Sequence, residues 1–560
     1  MPFLKRTERE ANQAAQLEKT SSPIANGAHA GNNELSASDQ KVTFMAVFLG
    51  CVASIGGFMF GYTSGQISGY FNMDDYARRF GEYQPSVDPS APLHEQYTFN
   101  AVRQGTIVSL LCAGSLIGSL IVGKLADTLG RKMAVSASAF WCMVGMIIEI
   151  SSMTSWAQFA VGRLVTGMGV GALSVTVPMY QSESTPAVIR GVVVACYQLF
   201  VTLGIWTAYM VNYGTHDMSG SASWRITVGL GFLWALILGG GMLVLPESPR
   251  FAFRQGREEE ARATIARLGG VDINHKSVND QIAEIRFKLD EERAGKDTKW
   301  WEMFTAPTML RRVMIGVVLQ AGQQLTGANF FFYYGTTVFQ GVGLSDSYVT
   351  QIILGSVNVF CTFGGLYVVQ KSSRRMALIV GALWAVICFL IYATVGELVL
   401  EKTGSSAAGN VLIVFTCLFI VSFATTWGPL VWAVVAELYP ARYRAPCMAL
   451  ATASNWLWNF LISFFTTFIT NDIGYWYGLV FGGSCLFLAF FVFFFVIESK
   501  DRSLEEIDTM YILGVNPITS AKWGGSKTPA DEESSRENSD AHANKEGAAM
   551  ERTPTTTIGE

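Results

Sequence analysis

The sequence predicts an all-α membrane protein: twelve transmembrane helices in two six-helix halves, with a cytoplasmic helical insert between them. Three observations carry this. The 560 residues are 50% hydrophobic and only 15% charged, where soluble domains hold about 25% charged residues. Apolar runs long enough to cross a hydrocarbon core of about 30 Å recur twelve times. The longest polar interruption, residues 246–312, follows the sixth run and divides the chain six and six.

The elements follow in chain order. Residues 1–40 are rich in Ser, Asn, Glu and Gly and read as a disordered cytoplasmic tail. The N-terminal half, 41–245, carries apolar runs at 42–68, 104–124, 133–153, 157–180, 191–212 and 225–245. The first run is too long for a signal-peptide core and has no small-residue cleavage site, so it is expected to remain as a span. The insert, 246–312, contains REEEARATIARL and VNDQIAEIRFKLDEERAGK, whose apolar spacing suits short amphipathic helices. The C-terminal half, 313–498, carries runs at 313–339, 346–369, 376–397, 410–436, 444–469 and 476–497. Residues 499–560 read as a cytoplasmic tail, mostly disordered, with low-complexity composition from 510 onward.

Basic residues set the orientation. Lys124, Arg131 and Lys132 follow the second run, Arg190 the fourth, Lys371, Arg374 and Arg375 the eighth, and Arg442 and Arg444 the tenth. Both tails and the insert are therefore expected in the cytoplasm. Loop 72–100 is expected outside; it holds no Asn-x-Ser/Thr sequon. Two similar halves flanking a site is the plan of a secondary transporter. A net charge of −4 argues against nucleic acid as a partner. The nine cysteines show no CxxC spacing and read as packing residues. No metal or cofactor motif and no nucleophile constellation points to an enzyme.

The first run contains GGFMFGYTSGQISG, Gly56 to Gly69. Gly57, Gly61, Gly65 and Gly69 recur every four residues, so one helix face lets a neighbour approach closely. Thr63 and Gln66 share another face, which either lines an aqueous cavity or ties helices together.

The loop after the second run, GKLADTLGRK from Gly123, has the spacing G-x-x-x-D-x-x-G-R-K of the major facilitator superfamily. Gly162–Arg163, PMYQSESTPAVIRG from Pro178, PESPRFAFRQGREEEAR from Pro246, QQLTGANFFFYYGTTVF from Gln323, WGPLVWAVVAELYPARYR from Trp427 and SNWLWNF from Ser454 follow in order. From about residue 44 to 508 the chain resembles the sugar porter family of that superfamily, and fungal hexose transporters in particular.

The resemblance implies a glucose-type transporter of the plasma membrane, multi-pass, with a monosaccharide substrate and the lipid bilayer as its partners. It implies no cofactor, a functional monomer and tails open to trafficking machinery. It assigns the central site to Gln198, Gln323, Gln324, Asn329, Asn358, Asn455 and Trp432, with Trp456 nearby. Amides both donate and accept, as sugar hydroxyls do, and an indole suits the apolar face of a pyranose. A helix-to-helix hydrogen-bond network is the other reading of these amides. The resemblance assigns a cytoplasmic gate to Asp127, Arg131, Glu183, Arg190, Glu247, Arg250, Glu437 and Arg444. In the family, such residues pair across the two halves when the transporter is open to the outside. Simple topological charge also accounts for Arg190 and Arg444. Gly428 and Pro429 are expected to let the tenth span bend.

Two departures matter. The second-half loop reads Gln370-Lys371-Ser372-Ser373 before Arg374, without the family's acid and glycine, and Ile497–Asp501 reads IESKD in place of P-E-T-K-G. In the first span, Thr63 stands where many sugar porters place Asp, facing the arginine of the fourth span, here Arg163. In proton-coupled relatives that acid carries the proton. Its absence implies facilitated diffusion, with Arg163 meeting water at the outer mouth. The alternatives are a proton symporter using another acid, with Glu149 as candidate, and a transporter-like glucose sensor.

Overall fold

The computed structural model describes residues 43–523, except 86, 89, 91, 295–300, 307, 341–346, 441–442, 501 and 503. The N-terminal tail, Arg442 and the tail beyond 523 lie outside the described residues. Among the described residues, ten apolar helical segments are long enough to cross a membrane. One of them, Pro446–Phe495, turns at Gly474 (φ 57°) and forms two spans, the eleventh, Arg444–Ile473, and the twelfth, Tyr477–Phe495. The seventh is not among the ten because it is split into two pieces of 17 and 13 residues, neither long enough alone. Met309–Leu325 and Ala328–Gln340 meet at Thr326 and Gly327. With it, the spans number twelve.

In the first half, the spans are Phe44–Tyr70, Ala101–Leu129, Arg131–Ser151, Trp156–Ser184, Ala187–Thr215 and Ala222–Val244. The eighth to tenth are Ser347–Lys371, Arg374–Thr403 and Ser406–Leu438. The insert folds as Pro249–Arg254, Glu258–Gly269, Lys276–Ala294 and Glu302–Thr305. Ala261, Ile265, Val278 and Ile282 pack in its small apolar core, as the amphipathic spacing predicts.

The glycine stripe of the first span lies against the fifth. A Cβ at Gly61 would stand 1.9 Å from the Val201 carbonyl oxygen, and one at Gly57 2.6 Å from that of Tyr197. Only a residue without a side chain permits this approach. The polar face of the same helix is not open to a cavity. Thr63 is 1% exposed, and its hydroxyl donates to the Met59 and Phe60 carbonyls of its own helix at 2.9 and 3.2 Å. Ser68 is bonded to Thr336 of the second half. Of these polar groups, Ser68 ties the first span to the second half, whereas the Thr63 hydroxyl bonds within its own helix.

That cover lies at the end bearing loop 72–100. Tyr348 donates to the Gly69 carbonyl at 2.7 Å, and Tyr209 to that of Phe332 at 3.0 Å. The His216 and Tyr348 rings lie 4.4 Å apart. The halves are thus joined at the loop end.

The sequence reads as a disordered tail from 510, but ordered structure runs further. Helix Leu504–Ile512 buries Ile507, Met510 and Tyr511 against the second half. Asp508 pairs with Arg312 at 2.6 Å, and the Arg312 guanidinium lies over the Tyr511 ring at 4.7 Å. Arg502 donates to the Ser520 and Trp523 carbonyls. These apolar anchors sit among polar residues, so composition alone hides them.

Candidate functional site

Two broken spans face each other in the second half. The tenth breaks at Thr426 (φ −124°, ψ −81°), three residues before Pro429. Proline has no N–H and its ring crowds the carbonyl four residues earlier, so the helix opens one turn upstream. The span resumes as Trp427–Leu438, with the Leu430 N–H donating to the Thr426 carbonyl at 3.0 Å. Gln323, at the end of the first segment of the seventh span, ties itself to this first turn: its Nε2 donates to the Trp427 and Gly428 carbonyls, at 3.0 and 2.8 Å.

From Gln323 an amide chain runs outward. Asn455 Nδ2 donates to Gln323 Oε1 and to Gln320 Oε1, each at 2.8 Å. Gln324 Nε2 donates to Asn455 Oδ1 at 3.0 Å, and Asn329 Nδ2 donates to Gln324 Oε1 at 2.6 Å. Gln323 and Asn455 are buried, whereas Gln324 and Asn329 are half-buried. The deep pair is therefore spent on protein. The shallow pair keeps unused donor and acceptor capacity: one N–H on Gln324, one N–H and the Oδ1 of Asn329.

Sequence reasoning anticipated these four and missed two. Gln320, fully buried, joins the hub, and its Nε2 has no partner. Asn459 lies one turn beyond Asn455 and donates to the Tyr333 hydroxyl at 3.4 Å. The four-residue spacings Gln320–Gln324 and Asn455–Asn459 were the available signal. Gln198, Asn358 and Trp432 make no described side-chain hydrogen bond and stand apart from the network. Gln198 and Trp432 are half-buried, and Asn358 is buried. Trp456 packs against Phe60 of the first half, ring centroids 5.3 Å apart.

In the first half, Arg163 does not meet water at an outer mouth. It is 1% exposed and donates to the Thr63 carbonyl at 2.8 Å and the Ile107 carbonyl at 3.4 Å. The position of Thr63 is thus beside the arginine, as the resemblance implies, but it is the main chain that makes the contact. Loop helix Asp74–Phe80 closes over this end. Burial pushes the Asp75 carboxyl up, but bonds from Arg79, Trp224 and Arg78 outweigh it and hold the group below the ordinary carboxylate range.

Comparison with known proteins bears on all of this. A family model described as "Sugar (and other) transporter" matches residues 49–511. The chain belongs to the sugar porter family. Among curated relatives of this sugar porter, the low-affinity glucose transporter HXT3 of Saccharomyces cerevisiae is 44% identical over 490 residues, 86% of this chain and 85% of the relative. A low-affinity glucose transporter of Kluyveromyces lactis is 42% identical over 489 residues, 86% and 85% of the two chains. These relatives are named as transporters, not enzymes. Among solved structures, the proton:xylose symporter XylE bound to 6-bromo-6-deoxy-D-glucose matches with a TM-score of 0.68 at 25% identity, covering 84% of this chain and 100% of that one. An inward-open form of XylE from E. coli matches with a TM-score of 0.68 at 24% identity, covering 83% and 99%. The likeness shows the major facilitator fold.

At the insert end, this sugar porter carries the same clasp twice. Arg131 Nε donates to Glu183 at 2.9 Å, and Arg374 Nη2 to Glu437 at 3.5 Å. Glu247 accepts the main-chain N–H groups of Arg131 and Lys132 at 3.0 and 3.1 Å; Glu498 accepts those of Arg374 and Arg375 at 2.9 and 3.3 Å. Ser248 donates to Glu183, and Ser499 to Glu437. Arg190 and Arg444 each donate to the carbonyl five residues earlier, Thr185 and Tyr439, at 3.3 Å. The pairs named here each join residues of one half. Arg250 lines a pocket of about 130 Å³ with Glu183, Arg190 and Glu284, between the fourth and fifth spans and the insert.

The degenerate second-half loop now has a physical account. Gly130 takes φ 95°, and a Cβ there would stand 2.3 Å from Glu247. Ser373 takes an ordinary φ of −61°, caps the ninth span by accepting the Met376 N–H, and donates its hydroxyl to Glu498. The serine replaces the glycine by bonding the glutamate instead of making room for it. Asp127 adds bonds to Arg131 at 3.3 Å and Arg254 at 3.0 Å; Gln370 brings no charge to the matching place. The first-half clasp is the stronger.

Proposed function

We propose that this sugar porter carries glucose and related hexoses across the plasma membrane by alternating access, as facilitated diffusion. The observation that carries the reading is the amide chain at two helix breaks. Gln324 and Asn329 offer free hydrogen-bonding capacity for sugar hydroxyls, while Gln323 and Asn455 hold the breaks behind them. The names of the relatives support hexose as the class. Trp432 supplies the aromatic plate, and Gln198 and Asn358 complete the site from the fifth and eighth spans. Both termini and the insert face the cytoplasm, so the loop end is the outside. In this conformation the outside is shut, with the clasps paired within each half. Opening outward requires Asp127, Arg131, Glu183, Arg190, Glu247, Arg250, Glu437 and Arg444 to draw the halves together at the cytoplasmic end. Such partly solvated pairs are weak individually and can be exchanged. The protein works as a monomer, and its tails are the surfaces for trafficking machinery.

Thr63 in place of a carboxyl supports uniport. The decisive measurement is labelled hexose uptake into proteoliposomes with and without an imposed pH gradient. Equilibration without concentration is expected in both. Gradient-driven accumulation would instead select proton symport. Specific sugar binding without any uptake would select a sensor.

A further inference from the structure

The third span carries a carboxyl, Glu149, two residues before its last residue, Ser151, with no exposure to solvent. The fourth span reaches it only because residue 162 is glycine: a Cβ there would stand 2.6 Å from Glu149 Cγ. The Thr166 hydroxyl, one turn on, donates to Glu149 Oε1 at 2.6 Å. The other oxygen, Oε2, is buried and has no hydrogen-bond partner. The Tyr70 and Tyr76 hydroxyls are likewise buried and without a partner, and both phenols lie within the field of Glu149 and Arg163.

The titratable and charged groups around this carboxyl come from every neighbouring element. Arg163 faces it from the fourth span, Tyr70 from the first, Tyr76 from helix Asp74–Phe80, and Cys142 from its own helix. Just beyond, Arg225 of the sixth span and Arg79 of the loop helix donate to the Ser152 and Met153 carbonyls. Arg163 gives its described bonds to neutral carbonyls, so its counter-charge within the bundle is Glu149.

Buried polar atoms without partners are rare and call for an explanation. Here the unpartnered atoms are the carboxyl's own Oε2 and the two phenol hydroxyls near it, and an intramembrane carboxyl is a candidate functional group. Ionised, Glu149 balances Arg163. Protonated, it leaves that cation unbalanced, and Arg163 is what joins the first, second and fourth spans through the Thr63 and Ile107 carbonyls. Five residues further along the first span, Ser68 is bonded to Thr336 of the second half.

We propose that Glu149 is a reversible proton-binding site, reached from the loop end past Tyr76 and Tyr70, whose occupancy sets the pH dependence of transport. The proton adds to Oε2 and returns to water on the same side. It therefore alters rate without adding a driving force. The proposal rests on the hexose-carrier reading above.

The test is equilibrium exchange of labelled glucose in proteoliposomes at equal internal and external pH, from about pH 5.5 to about pH 8. Wild-type exchange is expected to change about threefold or more with one midpoint. Glu149→Gln should flatten the profile, and Glu149→Asp should restore a pH dependence. Thr166→Val removes the donor to the ionised form and should move the midpoint upward. A flat wild-type profile overturns the proposal, as does Glu149→Gln following the wild-type curve. If Glu149→Gln does not fold, Thr166→Val decides, and an unmoved midpoint overturns it. Absence of glucose exchange at every pH would sink the hexose reading and the proposal with it; exchange with a flat profile would sink the proposal alone.

Discussion

Gln323 and Gln324 are adjacent amides, and alanine at each should fail in a different way. Gln323 makes three described side-chain bonds: to the Trp427 carbonyl, the Gly428 carbonyl and Asn455. It is 6% exposed, so truncation removes all three bonds at a place where water enters poorly. At about 1 kcal/mol of net stability per bond, Gln323→Ala should destabilise the fold by roughly 2–3 kcal/mol. Gln324 makes two bonds, both to side chains, at a half-buried position where water can replace them. Gln324→Ala should cost stability about 1 kcal/mol or less, yet weaken sugar binding by roughly 1–3 kcal/mol. Thermal unfolding of purified protein in one detergent, beside a glucose titration of each variant, separates the two. Equal unfolding profiles for both variants would refute the division of labour. So would a Gln324→Ala protein that binds glucose within twofold of wild type.

Gly61→Ala should prevent folded accumulation, because its Cβ would stand 1.9 Å from the Val201 oxygen; Gly240→Ala, with nothing within 4 Å, should express normally. Folded yield after detergent extraction distinguishes them. Arg131→Ala should shift the carrier toward inward-facing forms and destabilise it by about 3–5 kcal/mol, since it leaves a nearly buried Glu183 unpaired. Asp127→Asn should act in the same direction, by about 1 kcal/mol or less, because Asp127 is half exposed. Labelling of a cysteine placed at the loop end reports the shift, and equal labelling of both variants and wild type would count against the clasp. For Asp75, the folded carboxyl titrates below its unfolded value of about 3.9. Its contribution is therefore present above about pH 4 and lost as pH falls through the folded value. Asp75→Asn should unfold earlier at pH 7 and lose less on acidification than wild type; parallel acid curves would refute this.

The spans were legible because lipid demands long apolar runs, a constraint that leaves its mark on every residue. Breaks in them leave fainter marks. Pro429 announces the opening at Thr426, but Gly327, at φ 87°, acquires its meaning only when the Phe481 ring lies where its Cβ would be, at 2.6 Å. Residue type pointed to Gln323, Gln324, Asn329 and Asn455 as polar groups with work inside the bundle. It could not say which were spent on the protein, since the partners include the Trp427 and Gly428 main chain. Arg163 was misread for the same reason: carbonyls of Thr63 and Ile107 have no sequence signature. The clasp at Ser373 looked degenerate because a motif records residue types, whereas Glu498 accepts bonds from whichever donors stand near.

The break in the seventh span also bears on how the protein is made. A segment leaving the ribosome partitions into lipid according to its own length and polarity. Met309–Leu325 has 17 residues, about 26 Å of helix, and carries Arg311, Arg312, Gln320, Gln323 and Gln324. Ala328–Gln340 has 13 residues, about 20 Å. Neither piece spans about 30 Å of hydrocarbon alone. The groups that satisfy the first piece are synthesised later: the Trp427 carbonyl, then Asn455, then Asp508 and Tyr511. The seventh span therefore waits at the membrane for partners not yet translated, and the second half of the molecule can close only when the chain is almost complete.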